Sequence, residues 1–448
     1  STLNTNNYNY NYNYNYNSRT MADTFVETTH ASYGSRLKQS CCRLVCSPIL
    51  IVCVIGMLIW NESNAIKQHK ALNEGKKVVE MIQNTQEVRN DLNAKLIHFS
   101  GTATTNTKIY DNIFGIGNGS ENFLKIKRNA QMYQWEQSSS SETKKNTGGS
   151  TDKTTTYSYT KQWKSDHISS SQFKITNGHE NPSSMLYNSD DFVASNITVG
   201  AYSLSDAVVS KMNWYRRFPE ALSLDSILDA TAKSTATVLK DNQGAQVFYF
   251  GTGAPNSPQI GDTMVDFDVV SSQTISVVAM QTGSGLSTYT GKSGGTVLLV
   301  ESGTVDAMTM FENAHRNEKF IAWIIRFVGF LGMWLAFFLI MQPLSVAADV
   351  IPVVGNLLEK GFTWISGFLA FVFTGIVVGL AWLAFRPILS VCILLGLSGI
   401  TFLVVWLVNK KKGQNDRSMP DTDEVVKLPE ADKDVEVPES DVRVMEEP

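Results

Sequence analysis

The feature that most limits what this chain can fold into is the segregation of its apolar residues. Leu44 to Trp60 is apolar apart from Ser47, and Phe320 to Met341 is apolar apart from Arg326. Phe362 to Phe385 and Ile388 to Val408 follow, separated only by Arg386-Pro387. Runs near ~20 residues are what a helix needs to cross the hydrocarbon layer, where every backbone N–H and C=O has to be satisfied within the segment. Between the first and second runs lies a long polar stretch, Asn61 to Lys319. The expected fold is a membrane protein with four transmembrane α-helices and a large α+β, mostly β, lumenal domain between helix 1 and helices 2–4. Whole-chain composition hides this, with 43% hydrophobic and 18% charged residues. The net charge of -4 offers no basic face for nucleic acid.

Charge sets the expected orientation. Arg36, Lys38 and Arg43 precede the first run, and Lys410, Lys411 and Lys412 follow the last. Basic residues flanking spans stay on the cytosolic side. Both ends are therefore expected in the cytosol or nucleoplasm, with residues 61–319 in the lumen. The expected order begins with a disordered cytosolic N-terminus at 1–43, a first span at 44–60 and the lumenal domain at 61–319. Spans at 320–341, 362–385 and 388–408 come next, with a cytosolic interfacial segment at 342–361 and an acidic, disordered cytosolic tail at 409–448. Residues 4–17 alternate Asn and Tyr, and such a tract packs no core. Met21 is the first methionine, which points to residues 1–20 as a gene-model extension. The first run reads as an uncleaved signal anchor; Ser63-Asn64-Ala65 is the feature a cleaved leader would use.

Cys41 and Cys42 stand beside the first span, either as palmitoylation sites or as plain apolar residues at a helix end. No cysteine lies between Asn61 and Lys319, so in an oxidising lumen that domain folds without disulfides and has to bury a real core. Asn118-Gly119-Ser120 and Asn196-Ile197-Thr198 are candidate N-glycosylation sites, whereas Asn61-Glu62-Ser63 sits too near the membrane.

Within the domain, Ala65, Ile66, His69, Leu72, Val79 and Ile82 recur at helical spacing, with Gly75 weakening the helix. Strands are expected at 96–99, 123–135, 155–163, 247–250, 263–270, 275–280 and 296–300. Leu204 to Leu239 reads as helical, and Ser138 to Thr154 as a flexible hairpin loop. His98-Phe99-Ser100-Gly101 and Tyr249-Phe250-Gly251 echo each other, as a duplicated sheet unit would.

The search for chemistry returns nothing catalytic. Gly291-Lys292-Ser293 lacks the earlier glycine of a phosphate loop, with Leu286 at that position, and reads as a turn. His98, His167 and His179 have no metal-ligand spacing, and Asp166-His167 has no nucleophile elbow beside it. Tyr133, Trp135, Tyr157, Tyr159 and Trp163 alternate along strands, which points to cross-strand packing over a ligand wall. Arg326 is either a functional charge within a span or a side chain that snorkels to the surface. No catalytic, metal or cofactor residues are assigned.

One collinear series of residues narrows the reading. Asn61-Glu62 with Ala65, Leu72 and Glu74-Gly75 is followed by Met132-Tyr133-Gln134-Trp135 and by Tyr157-Ser158-Tyr159 with Trp163. Gly178-His179, Asn181-Pro182-Ser183, Met185, Gly261-Asp262, Lys292-Ser293-Gly294 and Arg386-Pro387 complete it. With four spans in the corresponding places, the chain resembles the LUMA family (transmembrane protein 43) from the first span onward. The acidic tail is longer than the family pattern. The resemblance implies a non-enzymatic scaffold of the endoplasmic reticulum and inner nuclear membrane that self-associates and organises membrane-protein complexes and the nuclear envelope. The implied partners are the lipid bilayer, further copies of itself, and lamins and emerin in organisms that have them. The competing reading is a channel or transport role. Against it, the spans carry no series of charged residues of the kind that marks an ion path. Gly375 and Gly379, four residues apart, and Trp382 read as helix packing.

Overall fold

The computed structural model describes residues 23–119, 121–350 and 352–385, together with Leu395 and Gly399. The expected fourth span at 388–408 lies outside the described residues except for Leu395 and Gly399, which are helical. Residues 1–22 and the tail at 409–448 also lie outside them.

The described chain opens with strand β1 (Asp23–Ala31) and helix α1 (Tyr33–Val78). Strands β2 (Glu80–Met81), β3 (Leu96–Thr105), β4 (Phe123–Lys145), β5 (Thr151–Lys164), β6 (Asp190–Val193), β7 (Ile197–Val199) and β8 (Tyr202–Ser203) follow. A short helix α2 (Asp206–Val209), strand β9 (Arg216–Arg217) and helix α3 (Ala230–Thr235) lead to β10 (Thr237–Lys240), β11 (Gln246–Phe250), β12 (Thr263–Ser271) and β13 (Gln273–Thr282). The domain ends with β14 (Gly285–Ser287), β15 (Tyr289–Thr290), β16 (Thr296–Val297) and β17 (Leu299–Ser302). Helices α4 (Ala307–Ala348) and α5 (Pro352–Phe385) complete it. Among the described residues three helices, α1, α4 and 358–384 within α5, are long and apolar enough to cross a membrane, and the large, mostly β domain lies between the first and the other two.

Several expectations are corrected. Residues 23–43 are ordered: β1 pairs antiparallel with β5, and Ser32 caps α1 by accepting from Ser35 N–H at 3.3 Å. The interfacial segment at 342–361 is instead the end of α4 and the start of α5. Ser138 to Thr154 is no loop. Its strands continue to a tight turn at 146–150, because Gly148 and Gly149 take positive φ there without a Cβ penalty. The Leu204–Leu239 segment is mostly irregular, with only α2, a 3-10 turn at Leu224–Ser226 and α3 helical, since Pro219 and tertiary packing override its propensity. The two echoing strand-Gly segments fall in different sheets, β3 in one and β11 in the other.

One sheet runs β1-β5-β4-β12-β11-β10, with β6 on β4 and β9 on β12. In the other, β13, β14, β8, β7 and β3 close on themselves, because β13 also pairs with β3. Closure leaves this small barrel no edge within the ring. Alternation does the rest. Ile97, Phe99, Ala103, Ile275, Val277 and Ala279 fill its interior, while Leu96 and Val278 point outward against Ala71, Leu72, Met310 and Phe311 of the helices. A second core under the first sheet centres on Phe114, whose ring lies 5.4, 6.0 and 5.5 Å from Phe248, Phe250 and Phe267. Asp111 positions that loop. It accepts from the Ile113 and Phe114 N–H groups at 2.8 and 2.9 Å and from buried Arg128 at 2.7 Å.

The seam between barrel and helices is tight. A Cβ on Gly295 would lie 2.4 Å from the Lys67 carbonyl, and one on Gly75 would meet the Phe311 ring at 3.0 Å. Phe311 is fully buried there. Phe311→Ala should therefore destabilise the chain by about 3–5 kcal/mol, the range for large aromatic truncations in a core. The check is thermal unfolding in detergent; an unchanged midpoint would show that barrel and helices are not coupled.

Candidate functional site in the helix bundle

α1 and α4 run antiparallel along almost their whole lengths. The matched pairs begin with Lys76 and Glu312 at 3.7 Å in the domain, continue through Leu58 against Gly329 and Val54 against Gly332, and end with Arg43 donating to Gln342 at 3.0 Å. Glycine permits this closeness: a Cβ on Gly329 or Gly332 would lie 2.5 or 2.9 Å from the facing side chain. α5 folds back on α4, where Trp334 Nε1–H donates to the Thr363 carbonyl at 3.1 Å and Gly367 seats the same indole.

Near the domain, all three helices meet on one carboxylate. Glu62 is fully buried. It accepts from Arg326 Nε at 2.6 Å, Arg326 Nη2 at 2.9 Å and Trp382 Nε1 at 2.7 Å. Asn61 Nδ2 adds a 3.3 Å bond to the Ala322 carbonyl. The Arg326 guanidinium also lies 5.0 and 5.7 Å from the Trp323 and Trp382 rings. A bidentate guanidinium–carboxylate pair is the strong form of this interaction, and aromatic faces add to it. Arg326 is thus a clamp and does not snorkel; Trp382 contributes its N–H as well as its ring.

At the opposite end of the bundle a second charged cluster forms. Asp349, nearly fully buried, accepts from Arg36 at 2.5 Å and from Lys145 at 2.8 Å, and Lys145 also reaches Glu359 at 2.5 Å. Lys145 comes from the end of β4. The hairpin tip is therefore tied to the ends of α1, α4 and α5.

The other expected sites stay apart from these clusters. Asn118 and Asn196 are exposed on the domain, whereas Asn61 is 3% exposed and closed to modification. Cys41 and Cys42 are exposed on α1. A Cβ on Gly375 or Gly379 would meet nothing within 4 Å among the described residues, whereas Gly329, Gly332 and Gly367 each lie against a facing side chain of another described span. Ser63–Ala65 lies mid-helix in α1. The Gly291–Ser293 turn docks on α1, with Lys292 N–H donating to Glu74 at 3.0 Å and Ser293 Oγ to the Lys67 carbonyl at 2.8 Å. His98 and His167 each donate to a backbone carbonyl, of Val305 and Pro182. His179 stacks on Tyr159 at 3.9 Å and meets Trp135 edge-on at 4.7 Å. Tyr133 packs on Trp163 at 5.4 Å, as cross-strand pairing predicts. No group of three or more His, Cys, Asp or Glu among the described residues has metal-site geometry. Sequence reading missed the Glu62–Arg326 pair, although both charges beside apolar runs were visible and an isolated Arg in a span asks for a partner.

Removing one partner of a buried ion pair strands the other, at a cost of about 3–5 kcal/mol. Glu62→Gln should therefore unfold the bundle at markedly lower temperature. The apolar double replacement Glu62→Leu with Arg326→Met should recover much of the loss. Thermal stability in detergent tests this, and additive losses would show the pair to be uncoupled.

A family profile described as Transmembrane protein 43 matches residues 132–387. Transmembrane protein 43 of Rattus norvegicus is 26% identical over 342 residues, covering 74% of this chain and 82% of the rat protein. The Homo sapiens protein of that name is 26% identical over 358 residues, 78% of this chain and 85% of its own. The Drosophila melanogaster homolog is 26% identical over 366 residues, 78% and 90% respectively. No solved structure matches. With more than half of its length under that profile and three apolar helices in place, the chain belongs to the transmembrane protein 43 family and is a multi-pass membrane protein.

Proposed function

We propose that this protein is a non-enzymatic scaffold of the endoplasmic reticulum and inner nuclear membrane that self-associates and organises membrane-protein complexes and nuclear-envelope structure. The observation that carries the reading is mechanical. α1 and α4 pass unbroken from the far end of the bundle into the domain, and the barrel packs directly on them. A domain held rigidly against its spans suits a platform on which other proteins assemble. The location rests on the family resemblance, and the partners are nuclear-envelope proteins such as lamins and emerin where they exist. The basic end of the bundle, with Arg36, Lys38 and Arg43, is placed in the cytosol or nucleoplasm and the domain in the lumen.

A second reading, conduction or transport, is favoured by one observation: a polar hairpin reaches the far end of the spans through Lys145. Purified protein in liposomes separates the two. A scaffold passes no current; a steady ionic current would favour the channel.

Two outcomes are expected in cells. Endoglycosidase should increase the mobility of the expressed protein through Asn118 or Asn196, and protease added outside sealed microsomes should spare the domain. Digestion of the domain would sink the lumenal placement. Proximity labelling from a ligase inserted in the domain should mark nuclear-envelope membrane proteins, and a chain lacking 95–300 should lose both these neighbours and the nuclear rim. Retention of both by the deletion would move the scaffold role away from the domain.

A further inference from the structure

β1, β5 and β4 continue past the domain as a three-stranded ribbon. Thr24–Ala31 pairs with Thr151–Ser158, which pairs with Ser138–Lys145. The base is bonded to the domain: Gln134 bonds the backbone of Asp166 and Ile168, and Gln137 accepts from the Lys174 N–H. The tip is bonded to the far end of the bundle through Lys145 and through Gly148 N–H, which donates to the Val350 carbonyl at 3.1 Å. From Gln134 to Lys145 the ribbon covers about 36 Å at ~3.3 Å per residue. From Glu62 back to Arg36, α1 covers about 39 Å at ~1.5 Å per residue. Ribbon and spanning helix therefore occupy the same height, that of the hydrocarbon layer, about 30 Å.

The two are opposite in character. Val45, Val52 and Phe327 turn apolar side chains outward at that height. The ribbon there reads Ser138-Ser139-Ser140-Ser141-Glu142-Thr143-Lys144-Lys145 on one strand. Thr143 and Lys145 face the cleft against the helices, so Ser138, Ser140, Glu142 and Lys144 face away from them, and all four are exposed. Among the described residues no strand pairs with the outer edge of β1 or with that of Ser138–Lys145. Open edges and a hydroxyl-rich face are not sustained against lipid; non-helical backbone at this depth has to be buried in protein or line water.

Building on the self-association reading, we infer that copies of this chain cover the ribbon. β1 of one copy pairs with Ser138–Lys145 of the next, so that the hydroxyl faces of neighbouring ribbons are buried against one another inside the assembly, with the apolar helices outside. A second copy fits where an unrelated partner does not, for three reasons. Both edges are offered at one height by every chain, so head-to-tail pairing closes a ring and leaves no edge. β1 and β4 both run away from the domain, and rotation about the membrane normal, with all domains on one side, brings them together in parallel. A two-residue stagger, of the kind a tilted barrel requires, sets His30 beside Glu142 of the next copy.

The test uses full-length chains with the five native cysteines replaced by serine. Two differently tagged copies, one Thr28→Cys and one Ser140→Cys, are co-expressed and oxidised in membranes. A disulfide-linked heterodimer is expected, and a chain carrying both changes should give a ladder of higher oligomers. Tagged copies that co-precipitate but do not cross-link would overturn ribbon pairing while leaving self-association to another surface. Failure of the cysteine-free parents to co-precipitate would overturn self-association itself.

Discussion

The antiparallel contact of α1 with α4 sets the geometry of everything else in this protein. The two helices are separated in sequence by the whole β domain, so the domain's ends are forced to emerge side by side from the bilayer. Small residues at Gly329 and Gly332 bring the backbones close, and Glu62 with Arg326 fixes the register. In lipid there is little hydrophobic drive for helices to associate, so close packing and polar pairing have to supply it. Trp382 extends the same carboxylate to α5, which makes one side chain the common point of three spans.

The domain is built to use that support. The strands that close the barrel are apolar on both faces where they pass the helices, one face filling the barrel and the other packing on Leu72 and Phe311. Since α1 and α4 continue as the walls of this second interface, membrane and domain share a core instead of a linker. This accounts for a β domain of this size without a single cysteine: cross-links are unnecessary when the termini of the domain are already held together by two long helices.

The charged clusters divide the bundle into two ends with different work. Near the domain, charge is neutralised within the three helices. At the far end, Asp349 is satisfied only by bringing in Lys145 from the hairpin as well as Arg36. The polar ribbon is thus pinned at both ends alongside the spans.

The sequence by itself determined the apolar helices, the mostly β domain between them, most strand positions and the family, because hydropathy and period-2 alternation are local properties written along the chain. It also placed the Gly291–Ser293 turn and the cross-strand aromatics. Only the tertiary structure decided that Glu62 and Arg326, 264 positions apart, share one site, that β3 and β13 close a barrel, and that Ser138 to Thr154 is a rigid ribbon joined by the strand at Asp23–Ala31. Among the described spans it is Gly329, Gly332 and Gly367 that make the close helix contacts, although Gly375 and Gly379 carry the spacing that favours them. The physical reason is common to all four cases. A polar or small residue shows in sequence that it needs a partner, but the partner is chosen by where distant elements come to rest, and no local pattern records that.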